Sequence, residues 1–357
     1  HNQISTMTIQ QRKSYLIQVG VFLSQFKSSG IEKLADLPNN DPFFDEMLEQ
    51  IDMAVHYNGW FTRENVLFSL EEWSKALSEE NLEKWLKSYH FKGESKTVGL
   101  VMAGNVPLVG FHDFISVLIA GHKVLVKLSS NDKKLLPIIS DYLIAINPEF
   151  KDKFEFTDGR MNNFDAIIAT GSNNTARYFE YYFRNKPSII RKNRNSVAII
   201  TGNESQEELK LLGEDIFRYF GLGCRNVSKL YVPLNYNFDS FFNAMLPWAH
   251  LMDHAKYANN YDYNKAVYLM SNFKLLDNGF LILKEDPGFG SPISTLFYER
   301  YTNKDALINT LEANKENLQC VVSQDLMESE VPFGETQHPQ LWDYADNVDT
   351  LAFLNKL

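Results

Sequence analysis

The chain has 357 residues, which is enough for two domains of ordinary size or for one large domain with two lobes. Its formal net charge of −10 argues against nucleic acid and anionic membranes as main partners, because both require clustered lysine and arginine. The 2 cysteines give neither a disulfide framework nor a metal-ligand spacing, and every long apolar run is interrupted before it can span a bilayer. The first residues are polar and lack the apolar core of a secretory leader. From the cysteine usage we expect a protein of the reducing cytoplasm with no metal site.

The N-terminal part of the chain is predicted to be helical. Apolar residues recur at spacings of three and four over residues 8–26, 42–56 and 62–89, as they do on one face of a helix. Thr62, followed by Arg and Glu, is typical of a helix start. The sequence therefore predicts a helical prelude that ends before Ser95.

Strands and helices alternate after Ser95. Short apolar stretches predict strands, which cover residues 97–102, 123–128, 154–156, 166–169 and 196–200. Helices are predicted between them, over residues 108–120, from a cap at 129–132 to 147, and over 176–183. This alternation predicts a parallel, doubly wound sheet, which binds ligands at the carboxyl ends of its strands.

The alternation continues in the second half, so the simplest division has two lobes that meet near residue 201. Helices are predicted over residues 208–220, 238–250 and 305–314, and strands over 228–233, 266–270, 279–284, 292–298 and 318–322. A connection rich in Tyr and Asn is expected over 257–263, and a polar tail from Pro332.

Three strand-to-turn junctions in the first lobe carry side chains suited to ligand binding. The Asn105 amide offers two N–H donors that can stabilise an oxyanion, and Lys127 ends an apolar strand where its ammonium can meet a ribose hydroxyl or a phosphate. Thr170, Gly171 and Ser172 form a turn with room for a pyrophosphate or a nicotinamide before a helix N-terminus. Taken singly, an ordinary turn Asn and a snorkelling lysine are the favoured explanations of Asn105 and Lys127, and a plain N-cap is the alternative for the third turn. Neither G-x-G-x-x-G nor a P-loop motif accompanies these turns.

The sequence Gly-Leu-Gly-Cys-Arg-Asn over residues 221–226 places Cys224 in a glycine-rich bend. Glycines beside a cysteine let a bulky electrophile approach the sulfur, and Arg225 favours the reactive thiolate. The alternative is a small buried side chain in a turn. Cys320 lies within an apolar strand, where core packing is expected, while His250 and His254 are more typical of surface or capping positions than of a metal face.

In their order along the chain, these motifs resemble the aldehyde dehydrogenase superfamily. Gly-Asn-Val-Pro at 104–107 resembles the turn of the oxyanion Asn, and Ala-Gly-His-Lys-Val-Leu-Val-Lys at 120–127 the strand that ends in the ribose lysine. Thr-Gly-Ser at 170–172 resembles the coenzyme turn, and 221–224 the nucleophile loop. The resemblance implies an α/β fold of two doubly wound lobes after the helical prelude. It makes Cys224 and Asn105 catalytic and assigns coenzyme binding to five residues, which are Lys127, Ser129, Thr170, Gly171 and Ser172.

Two departures from the superfamily pattern narrow the function. Residues 191–196 contain no carboxylate where oxidising members carry the Glu that activates water, and Ser130 replaces the acid that would clash with a 2′-phosphate. The segments 256–265, 334–339, 343–346 and 348–350 are similar to the LuxC-type acyl-CoA reductases. The resemblance thus implies reduction of an acyl-CoA, or another acyl thioester, to an aldehyde through an acyl-cysteine, with NADP(H) as cofactor and NAD(H) as the alternative. An acyl-phosphate reductase and a non-catalytic nucleotide-binding protein on the same fold remain alternatives.

The resemblance also gives a division of the chain and a set of partners. Residues 1–200 are expected to form the prelude and the cofactor lobe, 201–325 the catalytic lobe, and 326–357 a tail that packs on the cofactor lobe. The expected substrate is a small-molecule acyl thioester. An acyl-activating partner enzyme and a homodimer are both compatible with the resemblance.

Overall fold

A computed structural model describes residues 7–91 and 93–357, which form two compact units. Of the described residues, the first unit comprises those up to Lys192 together with Gln340–Leu357, and the second unit comprises Asn193–Pro339. Residues 193–200 and 326–339 therefore lie in the second unit, whereas the sequence placed them in the cofactor lobe and in the tail. The functional roles expected of these parts stay predictions.

Helices dominate the N-terminal part of the first unit. They are α1 (Ile9–Leu23), α2 (Asp41–Tyr57), α3 (Arg63–Ala76) and α4 (Glu79–Leu86), with a hairpin of β1 (Phe26–Lys27) and β2 (Gly30–Ile31) between α1 and α2. The single helix expected over 62–89 is wrong, because Leu77 leaves the helical conformation and the side chain of Ser78 caps a new helix. These helices share one apolar core with the sheet of this unit, because Phe22 of α1 and Val124 of the sheet belong to the same cluster of buried side chains.

The first unit contains a five-stranded parallel sheet in the order β5-β4-β3-β6-β7. Its strands are β3 (Thr97–Val101), β4 (Lys123–Lys127), β5 (Phe154–Phe156), β6 (Ala166–Thr170) and β7 (Ser188–Arg191). The accompanying helices are α5 (Phe111–Ile119), α6 (Leu135–Ile146) and α7 (Asn173–Tyr182). The sequence did not predict β7. It also started α5 three residues too early and placed the cap of α6 at 129–132 instead of at Lys134, because residues 104–110 and 129–134 form irregular turns.

The second unit contains a six-stranded sheet in the order β10-β11-β12-β9-β8-β13, in which only β10 runs antiparallel to its neighbour among the described strands. Its strands are β8 (Asn195–Ile199), β9 (Val227–Pro233), β10 (Leu275–Asp277), β11 (Ile282–Glu285), β12 (Thr295–Tyr301) and β13 (Leu318–Val322). Its helices are α8 (Gln206–Phe217), α9 (Asp239–Met245), α10 (Ala255–Met270) and α11 (Lys304–Ala313).

Helix α10 corrects the sequence-based assignment, which placed a connection over 257–263 and a strand over 266–270. The buried residues of this helix are Tyr257, Tyr261 and Asn264, which are spaced by four and by three and therefore lie on one face. The Tyr257 hydroxyl donates to the Phe280 carbonyl at 2.7 Å, which satisfies its polar end inside the core. The helical period is thus carried by amphipathic side chains that a search for aliphatic residues does not detect.

The C-terminal segment of the first unit ends in α12 (Thr350–Asn355) and is held by two histidines, the half-buried His112 and the buried His122. A ring nitrogen of His112 donates to the Leu341 carbonyl at 2.7 Å. His122 accepts the Lys96 amide at Nδ1 (3.0 Å) and donates from Nε2 to the Leu354 carbonyl (2.8 Å), which fixes its neutral tautomer. Burial lowers the pKa of both rings. No helix within residues 7–91 and 93–357 is long and apolar enough to cross a membrane.

Candidate functional site

The three turns singled out in the first unit leave one edge of its sheet. Val101 of β3 pairs with Lys127 of β4 and with Ala169 of β6, and all three strands run in the same direction. The Met102 amide extends the ladder by donating to the Lys127 carbonyl at 3.1 Å. Asn105, Lys127 and Thr170 therefore lie at the carboxyl edge, where parallel sheets bind their ligands.

Gly104 brings the Asn105 turn against the loop that follows β4. A Cβ atom on Gly104 would lie 2.5 Å from Ser129 Oγ, so the approach requires glycine. Ser129 Oγ in turn accepts the Asn131 amide at 3.2 Å. The Ser129 side chain is thus engaged in shaping the turn, while Asn105 and Lys127 are half-buried at its rim.

The turn after Asn105 is held by groups that the sequence did not indicate. Leu108 has a left-handed backbone with φ of 58°, which excludes the helix start expected there. Its amide donates to Asp132 Oδ2 at 2.8 Å, and Ser69 Oγ donates to the Pro107 carbonyl at 2.9 Å. Burial raises the pKa of Asp132 to about 6, although the Leu108 amide opposes this shift.

In the turn at 170–172, two of the three residues have structural roles. Ser172 is the N-cap of α7, and its Oγ accepts the Thr175 amide at 3.3 Å. A Cβ atom on Gly171 would lie 2.9 Å from Thr175 Cγ2, so close packing also requires this glycine. The Gly171 amide donates to the Arg191 carbonyl. Lys127 and the N-terminus of α7 follow β4 and β6 at the same edge of the sheet, and their part in coenzyme binding stays a prediction.

In the second unit, the chain before Cys224 adopts a strained path. Helix α8 ends at Phe217, three residues before the expected end, and a 3-10 turn follows. Tyr219, Phe220 and Gly221 then have φ values of 56°, 58° and 76°. The left-handed conformation costs a residue with a Cβ atom about 1 kcal/mol, so the Tyr and the Phe are held there by their surroundings.

Asn226 holds this path in place. Its side chain is buried and donates to the Arg218 carbonyl at 2.8 Å and to the Asp215 carbonyl at 3.1 Å. Its Oδ1 accepts the Gly223 amide at 2.8 Å. One side chain thus joins the end of α8 to the residue before Cys224.

The two cysteines differ in their surroundings, and neither forms a disulfide. Cys320 is buried in β13, as the sequence predicts, whereas Cys224 is partly exposed. Ser196 Oγ joins their backbones, because it donates to the Cys224 carbonyl at 2.8 Å and accepts the Cys320 amide at 3.1 Å. The exposure of Cys224 and the fixed loop around it are properties that a nucleophile requires.

Arg225 connects the Cys224 loop to the segment at 334–336. Its Nε donates to the Thr336 carbonyl at 2.6 Å. The same segment donates three hydrogen bonds to the carboxylate of Asp215, whose pKa burial raises to about 6 against the effect of these donors. The sequence had given Arg225 only an electrostatic role.

His250 and His254 lie in structural positions. His254 Nδ1 accepts the Tyr257 amide at the start of α10, and its ring packs on Phe220 with a centroid distance of 4.5 Å. The exposed His250 donates from Nδ1 to the Pro247 carbonyl at 2.9 Å. His254 therefore contacts the strained turn that precedes Cys224.

The stretch at 191–196 begins in the first unit. Arg191 is buried, forms an ion pair with Asp113 and donates to Thr350 Oγ1 at 3.2 Å. The sequence contains no carboxylate from Arg191 to Ser196. This position thus holds a paired cation and offers no base for activating water.

Comparison with known proteins gives the fold a name. The sequence matches no family model, and it matches no curated protein. Solved structures do match, and several are aldehyde dehydrogenases that cover most of this chain at TM-scores near 0.6. The chain has the aldehyde dehydrogenase fold. This confirms the fold class that the motifs predicted.

Three of these structures illustrate the likeness. Aldehyde dehydrogenase from Mycobacterium tuberculosis, complexed with NAD+, has 13% identity and a TM-score of 0.61, and the match covers 90% of this chain and 74% of that one. A mutant of aldehyde dehydrogenase C from Pseudomonas syringae, complexed with NAD+ and octanal, has 12% identity, a TM-score of 0.62 and coverages of 91% and 74%. The enzyme from Bacillus cereus, in an NAD+ complex, has 13% identity, a TM-score of 0.60 and coverages of 89% and 72%. At these identities the likeness extends to the fold alone.

Proposed function

We propose that this protein reduces an acyl thioester, with an acyl-CoA as the first candidate, to an aldehyde by the chemistry of the LuxC-type acyl-CoA reductases. The observation that carries the proposal is the partly exposed Cys224 in a fixed, glycine-rich loop on an aldehyde dehydrogenase fold. The missing carboxylate at 191–196 supports reduction over oxidation, because an enzyme that must keep its acyl-cysteine from water has no use for a base there.

The proposed reaction begins with attack of the Cys224 thiolate on the acyl carbon. The bond to the carrier sulfur breaks, the carrier leaves as a thiolate and takes a proton from solvent, and an acyl-cysteine remains. Asn105 donates its amide N–H to the oxyanion, and one such donor is worth about 3 kcal/mol in transition-state stabilisation. After hydride addition to the acyl carbon, the thiohemiacetal oxyanion collapses, the bond to Cys224 Sγ breaks, and the aldehyde leaves.

The hydride would come from a nicotinamide cofactor, NADP(H) or NAD(H), when one is bound. Lys127 would hold the adenosine ribose, and Ser129 would shape the same loop. The turn of Thr170 and Gly171 would line the coenzyme, with the N-terminus of α7 facing its phosphates. Ser130 is exposed after β4, where a carboxylate would repel a 2′-phosphate, and this supports NADP(H) as the preferred cofactor.

The direct test is turnover of acyl-CoA with NADPH and with NADH, followed by trapping of the aldehyde. We expect the wild type and Cys320→Ala to form aldehyde and Cys224→Ala to form none. Cys320→Ala is the matched control, because it removes the other thiol of the chain. Aldehyde formation by Cys224→Ala would remove the nucleophile from the proposal.

Reduction of an acyl phosphate is the second candidate, because it also requires no water-activating carboxylate at 191–196. Incubation of the protein with an acyl phosphate and with the matching acyl-CoA separates the two. The proposal expects the acyl group to reach Cys224 faster from the CoA thioester. Neither donor would acylate a non-catalytic nucleotide-binding protein.

A further inference from the structure

A short segment of the second unit, residues 333–337, packs against α8 and the Cys224 loop. Phe333, Thr336 and Gln337 are buried. Gly334 has φ of 86°, and a Cβ atom on it would lie 3.1 Å from Leu211 Cβ of α8. This segment is therefore a fitted part of the unit and not a loose connection.

Asp215 of α8 holds this segment with its whole carboxylate. Oδ2 accepts the Gly334 amide at 2.7 Å, and Oδ1 accepts both the amide (3.0 Å) and the hydroxyl (2.8 Å) of Thr336. The residue has an exposed fraction of 0%. A buried carboxylate is stable only when donors such as these surround it, so the three bonds and the charge depend on each other.

The same residue also holds the Cys224 loop, through its backbone. The Asp215 carbonyl accepts Asn226 Nδ2 at 3.1 Å, and Asn226 Oδ1 accepts the Gly223 amide. On the other side of the cysteine, Arg225 Nε donates to the Thr336 carbonyl. A closed circuit thus runs from Asp215 through Thr336 and Arg225 to Cys224, and back through Asn226.

We propose that Asp215 is a positioning residue for Cys224, which it places by fastening segment 333–337 to the nucleophile loop. The catalytic meaning of this role rests on the proposed function, whereas the positioning of the Cys224 thiol does not depend on it. Asp215 faces Glu214 on its own helix and the three donors of Gly334 and Thr336. Arg225, fixed on Thr336, supplies the positive charge beside the cysteine.

Asp215→Asn tests the role at nearly constant shape. The amide keeps one acceptor oxygen but turns an NH2 group toward a backbone N–H, so the segment must shift. We expect the rate of Cys224 alkylation by iodoacetamide, read by peptide mass spectrometry, to change by at least about 10-fold, because small displacements of reacting groups carry effects of this size. The kcat for acyl-CoA is expected to fall by a similar factor while KM changes less than about 3-fold.

Two controls separate positioning from loss of structure. Glu207→Gln makes the same acid-to-amide change at an exposed position of α8 and is expected to match the wild type in both readouts. Buried Cys320 reports opening of the unit, so its alkylation must stay slow in any variant that is compared.

Thr336 supplies a graded test that does not depend on Asp215→Asn folding. Thr336→Val removes one donor to the carboxylate and is expected to change the Cys224 rate in the same direction by a smaller factor, and Thr336→Ser is expected to restore it. The proposal is overturned if Cys224 of folded Asp215→Asn is alkylated at the wild-type rate. Where Asp215→Asn does not fold, the proposal is overturned if Cys224 of Thr336→Val is alkylated at the wild-type rate. If the alkylation changes appear but wild-type protein does not turn over acyl-CoA, the proposed function fails and the positioning role stands.

Discussion

Replacing Asn226 with alanine is the sharpest test of how the Cys224 loop is held. The side chain is 2% exposed and makes three hydrogen bonds, to the carbonyls of Asp215 and Arg218 and from the Gly223 amide. A buried polar group that loses its partner costs about 1–3 kcal/mol. Asp215 and Arg218 are buried residues whereas Gly223 is partly exposed, so we expect Asn226→Ala to lower the free energy of unfolding by about 3 kcal/mol.

The loss should also be felt locally at the cysteine. Asn226→Ala removes the side chain that joins the Gly223 amide to the carbonyls at the end of α8, so the left-handed Tyr219 and Phe220 can relax. We therefore expect the rate of Cys224 alkylation to change already at urea concentrations well below the unfolding transition.

Urea unfolding followed by the fluorescence of Trp248, which stacks on Phe217, measures the first effect, with the other tryptophans replaced by phenylalanine. Peptide mass spectrometry after alkylation measures the second. Asn203→Ala is the matched control, because this asparagine is exposed in the same unit. If Asn226→Ala unfolds within about 0.5 kcal/mol of that control, with unchanged alkylation, the account of the loop is wrong.

Three further predictions follow from other contacts. Ser196→Ala removes the donor to the Cys224 carbonyl and should lower the free energy of unfolding by about 1–3 kcal/mol, measured by urea unfolding against Ser196→Thr, while an unchanged midpoint would refute the link. Gly104→Ala places a Cβ atom 2.5 Å from Ser129 Oγ, so kcat for acyl-CoA should fall. The kcat of Gly159→Ala, at an open site, should stay at the wild-type value. Burial lowers the pKa of His122 below its usual 6.5, so on acidification the unfolded chain takes up the proton before the folded protein does. The neutral ring therefore stabilises the fold above pH 6.5, and this stabilisation should be lost as the pH falls. His122→Gln should weaken this acid dependence in thermal unfolding, and an unchanged pH profile would contradict the assignment.

Much of the sheet architecture could be predicted from the sequence, because buried parallel strands are short apolar runs between turn residues. The strands β3, β4, β6, β9 and β13 lie close to their expected positions for this reason. Helix α10 was missed because its buried face consists of Tyr and Asn.

The candidate site was predictable where a motif is local. The turns that carry Asn105 and Lys127 lie at one sheet edge, as alternating strands and helices require. The groups that hold these turns were not predictable, because each meets its partner only in the fold. Asp132 contacts Leu108, and Asp215 contacts Thr336, at separations of 24 and 121 residues. In the sequence each of these residues is only an aspartate, and neither its burial nor its partner can be read from its neighbours.

The central claim is that Cys224 holds an acyl group that a nicotinamide cofactor, and not water, removes. Intact-mass spectrometry of the wild type after incubation with acyl-CoA alone, followed by addition of NADPH, tests it most directly. The account predicts one long-lived acyl adduct, mapped to Cys224 and absent from Cys224→Ala, which disappears with NADPH as aldehyde forms. An adduct that water releases as free acid at the same rate with or without NADPH, or an adduct on another residue, would contradict it.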